Sequence, residues 1–190
     1  MKSALAVLLV LLFFSCGRKV VPVVVQKQVI KVNELVADNI SEDISGDDEV
    51  YLLIFQANDS IPNFILQKEW KDSMVFKKVG NQLRKSLNYN LNIKGLPIDK
   101  VGLFFILIEM DTPRSINEIT EKVKLVLVKE NGLYSDSLTS KINDAIYDDD
   151  VLETRFYKIS ELKSNQTGTI VFSGINIFDK YYYRLNYHWE

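Results

Sequence analysis

From Val50 to Trp189 the apolar side chains fall mostly at every second position, the spacing of β-strands that bury one face. Val50 to Ala57 is a β-rich run that closes on the turn-like Asn58-Asp59-Ser60-Ile61-Pro62. Leu87, Tyr89, Leu91 and Ile93 alternate with Asn88, Asn90 and Asn92 before Lys94-Gly95-Leu96-Pro97 turns the chain. Val123, Leu125 and Leu127 alternate with Lys122, Lys124 and Val126 ahead of Asn131-Gly132, a pair that favours hairpins, so two adjacent strands are expected there. Further runs lie at Val151 to Ile159, Thr169 to Ile175 and Tyr181 to Trp189, with Gly168, Gly174 and Asp179-Lys180 as turn residues. Within Val101 to Met110 the unbroken Leu103-Phe104-Phe105-Ile106-Leu107-Ile108 suits a central strand buried on both faces, although its period also fits a helix. A short helix is expected to interrupt at Thr112 to Thr120 or Thr139 to Tyr147. Seven to eight short strands without intervening amphipathic helices predict an all-β fold, an antiparallel β-sandwich.

The 190 residues favour one domain, and 47% hydrophobic with 25% charged residues is the balance of a globular chain. Cys16 is the single cysteine and His188 the single histidine. An intrachain disulfide, a cysteine-rich zinc site and a paired-histidine metal site are thereby excluded, and any Ser-His-Asp arrangement would have to use His188. Nucleic acid is not an expected partner: the formal charge is −2, and no basic run supplies a face for phosphates.

Met1-Lys2 is a short positive start, and Ala4 to Phe14 is an uninterrupted apolar run. It has the length of a signal-peptide core and falls short of the roughly 20 residues that span a bilayer. The run ends at Phe13-Phe14-Ser15-Cys16-Gly17, which resembles the lipobox of bacterial lipoproteins, where a small residue precedes the cysteine and another often follows. Phe13 and Phe14 depart from the commonest pattern, and the Ser-Cys ending after aromatics resembles lipoproteins of the Bacteroidota. The resemblance implies cleavage before Cys16, diacylglycerol on its thiol and acylation of the new amine, which together anchor a protein firmly. The mature chain would carry a formal −3, since Lys2 leaves with the signal. Gly17-Arg18-Lys19-Val20-Val21-Pro22 lacks the acidic residues that often direct such lipoproteins to the cell surface. That points to the periplasmic face of the outer membrane, with the cell surface as the other location.

The expected organisation is a signal peptide at 1–15, a lipidated cysteine and tether at 16–49, and a β-sandwich at 50–190. The tether is read from the polar stretch Ala37 to Glu49, and as a coil it would reach roughly 30 Å. The Val-rich part of 20–32 could instead join the sheet as an extra strand, with Pro22 at an edge or strand start.

Asp148-Asp149-Asp150 is the densest acidic cluster. With Asp47, Asp48 or Asp179 at a common end of a sandwich it could offer oxygens to calcium, as in C2-like domains, yet no spacing matches an EF-hand loop and a solvated acidic loop explains it as well. On a terminal strand, Tyr181, Tyr183, Leu185, Tyr187 and Trp189 share one face, most simply the core. Tyr182, Arg184, Asn186 and His188 share the other, where a ring, a guanidinium and an amide suit a sugar or a protein partner, or ordinary exposed strand chemistry. Paired carboxylates for glycoside cleavage, Glu69-Trp70 and Glu109 included, stand out no more than other acids. Neither a P-loop, a dinucleotide glycine pattern nor a nucleophile elbow is present.

The expectation is therefore a non-enzymatic accessory lipoprotein with no cofactor, which docks to an envelope protein within a membrane-associated assembly. In architecture it resembles the small lipoprotein of type VI secretion membrane complexes, also a lipidated β-sandwich. The competing reading is a lipoprotein that captures a glycan or another envelope polymer through aromatics of the last strand.

Overall fold

A computed structural model describes residues 29–39, 47–58, 65–77, 83–93, 101–110, 115–132, 135, 137–147, 150–163, 166–175 and 180–190. Residues 1–15, read from the sequence as a signal peptide, Cys16 and the Val-rich piece Val20 to Val25 lie outside the described residues. Among the described residues eight strands form two antiparallel four-stranded sheets, the sandwich expected from the alternation. One sheet runs β4 (Arg84–Asn92), β1 (Val29–Asn39), β8 (Lys180–Trp189), β7 (Thr167–Ile175). The other runs β3 (Ile65–Lys77), β2 (Asp47–Asn58), β5 (Val101–Glu109), β6 (Asp150–Lys158). They are called here the β8 sheet and the β5 sheet.

The main core lies between the sheets. Ile30, Val32, Leu35 and Ala37 of β1 and Tyr183 and Leu185 of β8 meet Leu52 and Ile54 of β2 and Leu103, Phe105 and Leu107 of β5. Phe76 and Tyr183 meet edge to face, with ring centroids 5.5 Å apart. All nine residues of β5 are buried, because its opposite face carries a second core. There Phe104, Ile106 and Ile108, with Leu53 and Phe55 of β2, pack beneath helices α1 (Ile116–Lys129) and α2 (Ser137–Ile146). A short α3 (Ile159–Lys163) carries the chain from β6 towards β7.

Two expectations are corrected. The sandwich starts well before residue 50, because β1 lies within the stretch read as tether and pairs with both β4 and β8, and β2 begins at Asp47. The alternation of β1 is concealed by a register shift between Val32 and Glu34: the inward set passes from Ile30 and Val32 to Leu35 and Ala37. One inserted residue reverses which parity faces inward, so the pattern looks aperiodic.

The second correction concerns Val123 to Leu127, which form part of α1 and not a strand. Ile119, Val123 and Leu127, four apart, are buried on one helical face, while Leu125 is 71% exposed. Asn131 and Gly132 adopt φ of 50° and 63°, as a type I′ hairpin would need, but they end the helix. The Gly132 N–H donates to Leu127 O at 2.9 Å and the Asn131 N–H to Val128 O at 3.0 Å, the paired bonds of a Schellman motif. The helix expected near Thr139 to Tyr147 is present as α2. Strand β3 had no counterpart in the alternation: it is an edge strand whose Lys68, Glu69, Lys71 and Asp72 interrupt the apolar pattern, a composition that discourages edge-to-edge pairing.

Candidate functional site

The two sheets differ in what covers them. Helices α1 and α2 pack on the outer face of the β5 sheet, whereas no described helix packs on the outer face of the β8 sheet. Strand β8 lies in the interior of its sheet, with β1 on one side and β7 on the other. Tyr181, Tyr183, Leu185 and Tyr187 are buried, so alternation turns Tyr182, Arg184, Asn186 and His188 outward. All four candidates therefore share one surface.

That surface is hydrogen-bonded across three strands. The Arg184 guanidinium forks onto Asp38, with Nη2 to Oδ1 at 2.6 Å and Nε to the other oxygen. Its pKa is raised further by that hydrogen bond. Asn186 Nδ2 donates to Glu34 Oε1 at 3.0 Å, and Asn186 Oδ1 accepts from the Thr169 hydroxyl at 2.9 Å. Arg84 Nη1 stands 3.6 Å from the other Glu34 oxygen. His188 Nδ1 pairs with Asn33 Nδ2 at 3.0 Å, and its Nε2 is 3.4 Å from Glu190, which also takes Lys31. The hydrogen bond from Lys31 lowers the Glu190 pKa below the usual value. Such exposed pairs contribute little stability each, but a bidentate fork and a linked network hold the side chains in one geometry. Tyr182, 39% exposed, is the open aromatic of the face. The array can present fixed donors and acceptors to a partner, and His188, held by Asn33 and Glu190, is one of them.

The acidic cluster is placed only in part. Asp150 opens β6 opposite Glu109 of β5, whereas Asp148, Asp149 and Asp179 lie outside the described residues. Among the described residues no group of three or more His, Cys, Asp or Glu side chains is placed to hold a metal ion.

A second feature, absent from the sequence reading, lies where edge strands β6 and β7 of the two sheets face each other. Glu153 of β6 reaches across this edge and accepts the Ser173 N–H of β7 at 2.8 Å, while Arg155 Nη2 lies 2.5 Å from its other oxygen. Burial raises the Glu153 pKa above 4.5, opposed by the Ser173 N–H and by Arg155. A carboxyl whose folded pKa exceeds its unfolded one binds its proton more tightly when folded. Wild-type stability should therefore rise relative to Glu153→Gln as pH falls through the folded pKa towards 4.5. Paired thermal melts between pH 7 and 4.5 check this; a difference that stays constant would contradict it.

Farther along the same edge the sheets part into a cleft of about 440 Å³, lined by Phe156, Tyr157, Glu161, Leu162, Thr169 and Tyr187, among others. Gly168, cross-strand from Tyr187, lets that ring lie against the β7 backbone, since a Cβ there would come 2.3 Å from the ring. No periodicity marks this cleft, because its walls come from two sheets and a connecting helix. The aromatic Tyr157 and the cross-strand glycine were the available signals.

No protein-family model matches the sequence, and no curated protein matches it. Among solved structures, a C2 domain of plant extended synaptotagmin 1 superposes with a TM-score of 0.42 at 13% identity, over 87% of this chain and 92% of that one. A structure of CC2D1B, described as coordinating ESRCT-III activity during the mitotic reformation of the nuclear envelope, gives a TM-score of 0.37 at 9% identity, over 91% of this chain and 57% of that one. No residue role is carried over from either.

Proposed function

We propose that the protein is a lipid-anchored, non-enzymatic docking module of the bacterial cell envelope, held on the periplasmic face of the outer membrane by acyl chains on Cys16. It engages an envelope protein through the outer face of the β8 sheet. The observation that carries this reading is the asymmetry of the sandwich: helices cover one outer face, and the other presents Tyr182 beside the cross-linked Arg184, Asn186 and His188. Side chains already fixed by hydrogen bonds lose little further freedom on binding, which favours association. Twelve residues lie between Cys16 and Val29, a reach of at most about 45 Å, so a lipid at Cys16 would keep the sandwich near the membrane. A lipidated sandwich placed this way shares the layout of the type VI secretion lipoprotein, which supports looking for the partner within an envelope assembly.

Mild-detergent affinity purification from the native host is expected to return one recurrent envelope protein with the wild type and with Leu125→Ala, and to lose it with the Tyr182→Ala/Arg184→Ala double variant. Intact mass should show acyl chains on a chain that begins at Cys16, absent from Cys16→Ala. Recovery of the protein alone, or an unmodified mass, would refute the docking or the anchoring part respectively.

A further inference from the structure

The β6/β7 cleft lies between the sheets, meets the docking face of the β8 sheet at Thr169, whose hydroxyl donates to Asn186, and is independent of lipidation; we infer that it binds an extended peptide by strand addition to β7. The Gln166 carbonyl receives the Trp189 N–H at 2.7 Å, so the even-numbered residues of β7 face β8. The β7–β8 register runs from Thr167↔His188 to Ile175↔Lys180 without a shift. Main-chain groups alternate sides along a strand, so the N–H and C=O groups of Thr169, Val171 and Ser173 face the open edge. At Ser173 the protein supplies its own acceptor, the Glu153 carboxylate from the opposite sheet. At Thr169, four residues earlier, the same edge opens onto the cleft. Main-chain donors and acceptors in a row at a sheet edge are what a peptide strand pairs with, and the cavity beside them supplies the side-chain pocket.

The lining sets the chemistry of the occupant. At about 440 Å³ the cleft lies within the range of ligand sites, and Tyr157, Leu162 and Tyr187 on the inter-sheet side give it an apolar and aromatic wall, suited to one large apolar side chain. Glu161 is the charged residue of the lining, and its Oε2 accepts the Lys158 N–H at 2.9 Å, which fixes its carboxylate in place. A fixed anion beside an apolar pocket selects a basic residue two positions from the apolar one, on the same face of an extended chain. The occupant is therefore an extended segment of a partner protein that carries a large apolar side chain and, two residues on, Lys or Arg.

The test uses the full chain in detergent and fluorescently labelled heptapeptides, acetyl-Thr-Val-Thr-Phe-Thr-Lys-Thr-amide and its versions with Leu or Trp in place of Phe. At least one should bind saturably and shift the backbone amide resonances of Thr169 and Val171. N-methylation of its central backbone amides, or Thr169→Pro in the protein, should weaken binding at least about tenfold. Proline at this edge position removes an N–H that faces away from β8 together with the hydroxyl that donates to Asn186, and Thr169→Ala, which removes the hydroxyl alone, should bind the peptide as the wild type does. Glu161→Gln, which keeps the acceptor for Lys158, should weaken the Lys peptide several-fold and leave a Lys→Thr peptide unchanged. Equal binding of the N-methylated peptides would overturn the inference without relying on any variant's folding. So would no saturable binding below about 1 mM, or occupation of the cleft by an N-acetylglucosamine trisaccharide with the peptides excluded.

Discussion

Phe104→Ala and Phe105→Ala, at adjacent positions of β5, are each expected to lower the unfolding free energy by about 3–5 kcal/mol. Neighbouring residues on a strand point to opposite faces, so in a two-layer sandwich one of the pair would face solvent and cost little. Here both are buried: Phe105 sits between the sheets, edge to face with Tyr157 at 6.2 Å, and Phe104 lies under the helices against Phe156 at 4.7 Å. Each truncation loses the transfer energy of a ring and leaves a cavity in a different core. Urea unfolding followed by circular dichroism measures both changes. A near-neutral result at Phe104 would mean that α1 and α2 do not cover the β5 sheet.

The second large effect separates helix from strand at Val123 to Leu127. Val123→Asp should destabilise the protein by about 3–5 kcal/mol, because it places a carboxylate without a partner among Ile119, Leu127 and the outer face of β5. Leu125→Asp should change stability by no more than about 0.5 kcal/mol, since Leu125 is 71% exposed. Were this segment a strand, positions two apart would share a face and the two substitutions would act alike. Comparable denaturation midpoints for the two variants would count against the helix.

The outward set on β8 illustrates how a candidate surface can be legible while its chemistry is not. Strict alternation from Tyr181 to Trp189 separated buried from exposed residues, and Tyr182, Arg184, Asn186 and His188 do share the outer face. Their partners come from strands remote in sequence. Asp38 reaches Arg184 across 146 positions and Glu34 reaches Asn186 across 152, so no local pattern announces either contact.

The sequence by itself determined the parts of the fold written in local periodicity. These are the antiparallel sandwich and the inward tyrosines of β8, because each depends on side chains whose spacing alone selects a face; the unbroken apolar run of β5 suited a helix as well as a strand buried on both faces, and pairing with β2 and β6 chose the strand. Tertiary structure decided the rest. The bulge in β1 hid a central strand by reversing its parity, and α1 was masked because Val123, Leu125 and Leu127 satisfy a period of two as readily as Val123 and Leu127 satisfy a helical face. The positive φ that Asn131 and Gly132 favour suits a hairpin and a helix end equally, and only packing of α1 against the β5 sheet chose between them. The cleft between β6 and β7, with the edge-facing backbone of Thr169, exists only once two sheets are stacked, since its walls are distant in the chain and adjacent only in space.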